Sequence, residues 1–328
     1  MLLSASVKIS SVKDALAALL KDYEVAAPVS DGANLLYSYI TDPNDVVFSD
    51  QLPYKSPKEF LLPQTEKILA FGEDSAEDIQ EAKKTVIFDV RPCDLSAFKR
   101  ITDKVFSEGK FKDGFYMRRR KASATIGMAC KSLKPGCFCN LRGIDKSYST
   151  ECDIFLTPAG EDEYIAAAHT PVGCDLLKSC FRSVPAAFSP EPAELSETLE
   201  ICSEEKDVFE KVNWDAMSAS CISCGTCTFV CPACHCFDFK DKGSVRYRVW
   251  DSCMYSAFTL HASGHNPRAG KPERFRQRFM HKYVYMLKNI GESACFGCGR
   301  CTRKCPAGIN ARRVLECIKA EAAGGSDG

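Results

Sequence analysis

The sequence has 328 residues, 20 of them cysteine, with 43 Lys+Arg balanced by 43 Asp+Glu. Zero net charge excludes a general nucleic-acid binder, which carries a basic excess, and a chain this long buries a core without a disulfide scaffold. No apolar run approaches the roughly 18 residues of a membrane span, and Met1-Leu2-Leu3-Ser4-Ala5 lacks the basic start of a secretory signal. The expectation is a cytoplasmic protein whose reduced thiols serve metal or redox chemistry.

In chain order, Ser11-Val12-Lys13-Asp14 resembles a capping box and predicts a helix at about 11–22. The β-branched run Thr85–Val90 predicts a buried strand, and Leu95, Phe98, Ile101 and Val105 give 94–106 a helical period. Further strands are predicted at 123–129, 153–157 and 164–168. This order favours a partly parallel sheet in an α/β domain over residues 1–190. The prolines of 184–194 mark a linker. Residues 191–210, with eight acidic side chains and one Lys, predict a solvated helix with Leu195, Leu199, Ile201 and Val208 inward. Pro272 opens a helix to Met286 whose Phe275, Phe279, Tyr283 and Leu287 form one apolar stripe. Residues 191–328 are thus expected to form a mainly α domain.

The cysteines are absent from 1–92 and concentrated after 220. Cys221-Ile-Ser-Cys224-Gly-Thr-Cys227-Thr-Phe-Val-Cys231-Pro232 and Cys295-Phe-Gly-Cys298-Gly-Arg-Cys301-Thr-Arg-Lys-Cys305-Pro306 are two copies of C-x2-C-x2-C-x3-C-P. Two-cluster ferredoxins hold [4Fe–4S] cubanes with this run. Three thiolates at two-residue intervals reach three iron corners from one loop. The fourth Cys leaves that loop and ligates the other cluster. One predicted set is Cys221, Cys224, Cys227 and Cys305; the other is Cys295, Cys298, Cys301 and Cys231. Gly225 and Gly299 permit a positive φ that turns backbone N–H groups toward the cluster. A zinc ribbon would show paired C-x2-C knuckles instead. Arg300, Arg303, Lys304, Arg274, Arg276 and Arg278 could offset the negative cluster charge or form a docking surface.

Cys93 and Cys130 follow predicted strands, where α/β folds build sites, and Cys137-Phe138-Cys139 lies just beyond. These four thiols could hold a third [4Fe–4S] cluster. Cys234, His235, Cys236 and Cys253 read as structural filling, with cluster contact as the alternative. His261, His265 and His281 read as packing or surface residues.

Several segments carry a resemblance: Lys55–Phe60, Arg91-Pro92-Cys93-Asp94-Leu95, Gly136–Cys139, the first motif extended to Cys236, Trp250-Asp251-Ser252-Cys253, His265-Asn266-Pro267-Arg268, Arg276-Gln277-Arg278 with His281-Lys282-Tyr283, and the second motif. Over residues 55–310 the chain resembles the dicluster electron-transfer subunits of anaerobic sulfite reductase and of NAD(P)-linked sulfhydrogenases, in the latter the β subunit. The resemblance implies an iron–sulfur relay between a flavin subunit that oxidises NAD(P)H and a catalytic reductase subunit, with the N-terminal domain packed on a partner. No catalytic residue of its own is evident, and neither G-x-G-x-x-G nor a P-loop occurs. The alternative is a reductase that binds its own substrate or sirohaem through Cys174-x5-Cys180 and Cys227-x3-Cys231.

Overall fold

The computed structural model describes residues 2–79, 82–161, 163–182, 184–190 and 198–324. Among them lie twelve strands: β1 Leu3–Lys8, β2 Glu24–Ser30, β3 Leu35–Ile40, β4 Thr65–Phe71, β5 Ala76–Asp78, β6 Thr85–Val90, β7 Ser123–Met128, β8 Ile154–Pro158, β9 Glu163–Ala168, β10 Val184–Pro185, β11 Phe237–Lys242 and β12 Val245–Trp250. Eight of them form one mixed sheet in the order β10-β1-β9-β8-β7-β6-β2-β3. Its centre, β2, β6, β7 and β8, is parallel. The remaining pairings in that sheet are antiparallel.

Alternation along the central strands sorts side chains onto two faces. Val86, Phe88, Ile154 and Leu156 meet Val12, Ala15, Leu16 and Leu19 of the helix Ile9–Leu19, and Leu176 and Leu177 of the helix Pro171–Cys180. Ile87 and Phe155 face the other way, onto Leu95, Phe98, Phe106 and Tyr116. At the end of β6 the register shifts between Phe88 and Val90. There Asp89 adopts a left-handed φ of 60°, so Val90 joins the face of Ile87. This bulge redirects the chain into Arg91–Asp94 beside the cysteine loops.

The four-stranded antiparallel sheet β11-β12-β4-β5 draws on both halves of the chain. Arg248 of β12 reaches Glu66 of β4, its Nε 3.0 Å from a carboxylate oxygen, and both are buried. The expectation of a mainly α segment over 191–328 therefore lacks this hairpin, whose strands Phe-Asp-Phe-Lys-Asp-Lys and Val-Arg-Tyr-Arg-Val-Trp carry too many charges to read as core. A third core gathers Trp214, Met254, Phe275, Phe279, Tyr283, Leu315 and Ile318.

Other elements differ in extent from the sequence expectation. The first helix starts directly from β1, so Ser11 and Asp14 lie inside it and no side chain caps it. The helical stretch after β6 runs over 92–107, interrupted by a π-turn at Phe98–Thr102. Val184–Pro185, expected in a linker, pairs with β1. In the acidic stretch the helix covers only Glu205–Lys211; Ile201 and Val208 are buried as expected, and residues 191–197, including Leu195, lie outside the described residues. In the apolar stripe, Phe275, Phe279 and Tyr283 are buried, but the π-turn His281–Tyr285 changes the phase of the helix face. Met286 takes the inward place and Leu287 is exposed. No helix of the described residues is long and apolar enough to cross a membrane.

Candidate metal centres

Each cysteine motif folds as a loop that runs into a one-turn helix, Thr226–Phe229 in the first and Arg300–Arg303 in the second. Gly225 and Gly299 precede these turns at φ 74° and 69°, the left-handed conformation expected of glycine there. Each loop holds a second left-handed residue two positions earlier, Ser223 at 55° and Gly297 at 64°. Sequence reasoning missed this pair, because a serine carries no such signal. The Ser223 amide donates to Cys221 Sγ at 3.4 Å.

The two loops enclose two neighbouring cavities. The first is lined by Cys221, Cys224, Cys227 and Cys305, with Met254, Phe275 and Ile309 as apolar wall. The second is lined by Cys231, Cys295, Cys298 and Cys301, with Phe138, Tyr283 and Phe296. Cys301, Arg278, Phe279 and Ala311 border both, so the cavities share a wall. The fourth cysteine of each motif thus lies on the wall of the other motif's cavity.

The donor set suits a cluster better than a single ion. The thiols stand around a space, as the separated iron atoms of a cubane demand. Two cations supply a second indication. Arg278 and Lys282 are each 5% exposed, and among the described residues neither has a carboxylate in ion-pair distance. Arg278 donates to the Cys227 carbonyl at 3.0 Å and approaches Cys234 Sγ at 3.6 Å. Lys282 Nζ lies 3.3 Å from Cys231 Sγ and donates to the Ala294 carbonyl at 2.8 Å. Buried charge of one sign calls for compensation, and thiolates around a cluster provide it. Without metal, burial pushes the Cys301 thiol up to about 12, so metal binding there must displace a proton.

The basic residues named from the sequence divide by contact. Arg278 and Arg303 touch the site; Arg303 lies 3.3 Å from Cys137 Sγ and donates to the Cys298 carbonyl at 3.1 Å. Arg300 instead makes a two-pronged ion pair with Asp94 at 2.6 and 2.7 Å, both fully buried. Arg274 binds the carbonyls of Met254 and Arg268, Arg276 stacks on Phe209, and Lys304 lies over Tyr54. Lys282 was missed, although it stands one helical turn after Arg278, the spacing that shares a face.

The other cysteines named from the sequence fall into four groups. Cys130, Cys137 and Cys139 are mutual neighbours, and burial pushes Cys130 to about 11 and Cys139 to about 12. Their loop lies on the second motif: Phe138 donates to the Gly297 carbonyl at 2.8 Å, and a Cβ on Gly299 would meet the Gly136 carbonyl at 2.4 Å. Cys93 is turned instead to Cys298, whose thiol it hydrogen-bonds. Beside the first motif, Cys234 contacts Cys231, and Cys236 contacts Cys253. His235 and His281 are held neutral, near 4, chiefly by burial, and their rings pack 6.0 Å apart. His261 and His265 pair their rings at the surface. Cys174 and Cys180 lie on the helix Pro171–Cys180 against the sheet core, in a different core from Cys227 and Cys231.

Residues 220–309 match the family model of the 4Fe-4S dicluster domain. Over 287 residues the chain is 30% identical to a protein of Pyrococcus furiosus named sulfhydrogenase 2 subunit beta, a match that covers 80% of this chain and 82% of that one.

Proposed function

The chain belongs to the sulfhydrogenase β-subunit family, as an iron–sulfur electron-transfer subunit with a C-terminal 4Fe-4S dicluster domain, and from that premise we propose that it relays electrons between two partner subunits in the cytoplasm. One partner carries a flavin and oxidises NAD(P)H; the other is a catalytic reductase of hydrogenase or sulfite reductase type. When bound, the clusters supply one-electron carriers side by side. Cys221, Cys224, Cys227 and Cys305 hold one, and Cys295, Cys298, Cys301 and Cys231 hold the other. Gly225 and Gly299 let the loop backbone approach them. An α/β unit of residues 1–190 serves partner docking, and residues 191–328 form the dicluster unit.

The observation that carries this reading is the pair of thiol-lined cavities sharing Cys301, Arg278, Phe279 and Ala311 as a common wall. Arg278 and Phe279 are buried in that wall, which sets the two sites side by side, as a relay needs and a lone structural metal does not. A third cluster on Cys93, Cys130, Cys137 and Cys139 extends the proposal. Its support is the grouping of the last three thiols against the second motif, while Cys93 would have to leave Cys298 to join them.

Anaerobic purification with metal analysis tests the reading. Roughly eight iron per chain is expected for two clusters and roughly twelve for three. Zinc in place of iron overturns it, and a sirohaem absorption band in the isolated chain moves the assignment to a catalytic reductase. Affinity capture of the intact complex is expected to bring down a flavoprotein and a reductase subunit.

A further inference from the structure

We infer that Lys282 is the residue that keeps the buried second cluster reducible, by placing one fixed positive charge against its ligand Cys231. The inference rests on the assignment of Cys231 to the second cavity. Lys282 is 5% exposed, on the π-turn His281–Tyr285, and its ammonium is held between Cys231 Sγ at 3.3 Å and the Ala294 carbonyl at 2.8 Å. Both partners belong to the second cavity's wall, and neither borders the first. Arg278 differs, because it borders both cavities and cannot distinguish them.

The two sites start from unequal surroundings. Cys224 of the first set is exposed, so water can stabilise added negative charge there. Cys298 and Cys231 of the second set are buried. Reduction adds one electron to a group that is already anionic, and burial opposes that step. A cation fixed in the same low-dielectric surroundings acts strongly on it, because nearby charges interact more as water is excluded. Lys282 therefore compensates on one side what solvent does on the other, and brings the two potentials within reach of each other. The electron is supplied in the assay by dithionite.

The test is a dithionite titration of the whole chain, or of its complex, followed by electron paramagnetic resonance of each cluster. In Lys282→Met the second cluster's midpoint is expected to fall by at least about 59 mV, a tenfold change in its one-electron equilibrium. The first cluster's midpoint stays in place, and Lys282→Arg restores the second. If the Met variant fails to assemble the second cluster, Lys282→Gln carries the same test, since it keeps a hydrogen-bond donor without the charge. Unmoved second-cluster potential, or equal shifts in both clusters, overturns the inference. Wild-type protein that lacks two iron–sulfur signals overturns the underlying assignment instead, so the two failures are separable.

Discussion

The two cysteine motifs have the same spacing and opposite surroundings. Ile222, one residue after the first cysteine of its run, is 64% exposed, whereas Phe296 at the matching position is 5% exposed. The first loop faces outward. The second is pressed under the Gly136–Cys139 loop and clamped by Asp94 to the end of the mixed sheet. Spacing specifies what each loop can hold, and the α/β domain decides which of them meets solvent. The outward loop suits exchange with a partner, and the covered loop suits an internal step.

The comparison breaks most severely if the crossed thiols are separated. Cys305→Ser, on the second run, is expected to empty the first cavity: roughly four of roughly eight iron are lost, and the signal that remains belongs to the second. Loss of the second signal instead would show that each run closes on its own cluster. Next in size, Asp94→Asn leaves Arg300 charged and unpaired in the interior, a change that costs about 3–5 kcal/mol. Anaerobic urea unfolding should show a midpoint lowered accordingly, and an unchanged midpoint would remove the clamp from the account.

A smaller contrast lies in the two glycines. Alanine meets left-handed strain at both glycines, but at Gly299 it also meets the Gly136 backbone, whereas at Gly225 it meets the Tyr255 side chain, which can swing away. Strain of this kind costs about 1–3 kcal/mol; Gly299→Ala should exceed Gly225→Ala in the same unfolding assay, and the reverse order would contradict the packing described. The smallest effect is at Ile222. Ile222→Ser should leave stability within about 0.5 kcal/mol while slowing electron exchange with the captured partner, measured by stopped-flow reduction. Unaltered exchange would mean that the outward loop is not the contact face.

The grouping of the motif thiols around two cavities was legible because their spacing is local and strict. So were β6, β7 and β9, whose apolar and β-branched runs match their burial. What stayed hidden depends on partners far along the chain. Arg300 read as a charge beside thiolates until Asp94, 206 residues earlier, was seen to claim it. Lys282 shares a helix face with Arg278, but that spacing does not announce its approach to Cys231, 51 residues earlier. The β11–β12 hairpin was invisible because its charged strands gain their place from β4, whose Glu66 receives Arg248. Ser223 shows the limit at a single residue, since its left-handed backbone follows from the loop closing around it and not from its own preference.

The Asp94–Arg300 clamp also has a bearing on biogenesis. Asp94 emerges from the ribosome long before Arg300 and takes its position only when β6 and the bulge at Asp89 have formed. The second loop is therefore seated on structure built from an earlier part of the chain. The first loop lies outside that seat. On the proposed crossed assignment, the thiols of the first run complete their site only with Cys305, the last cysteine of the second run.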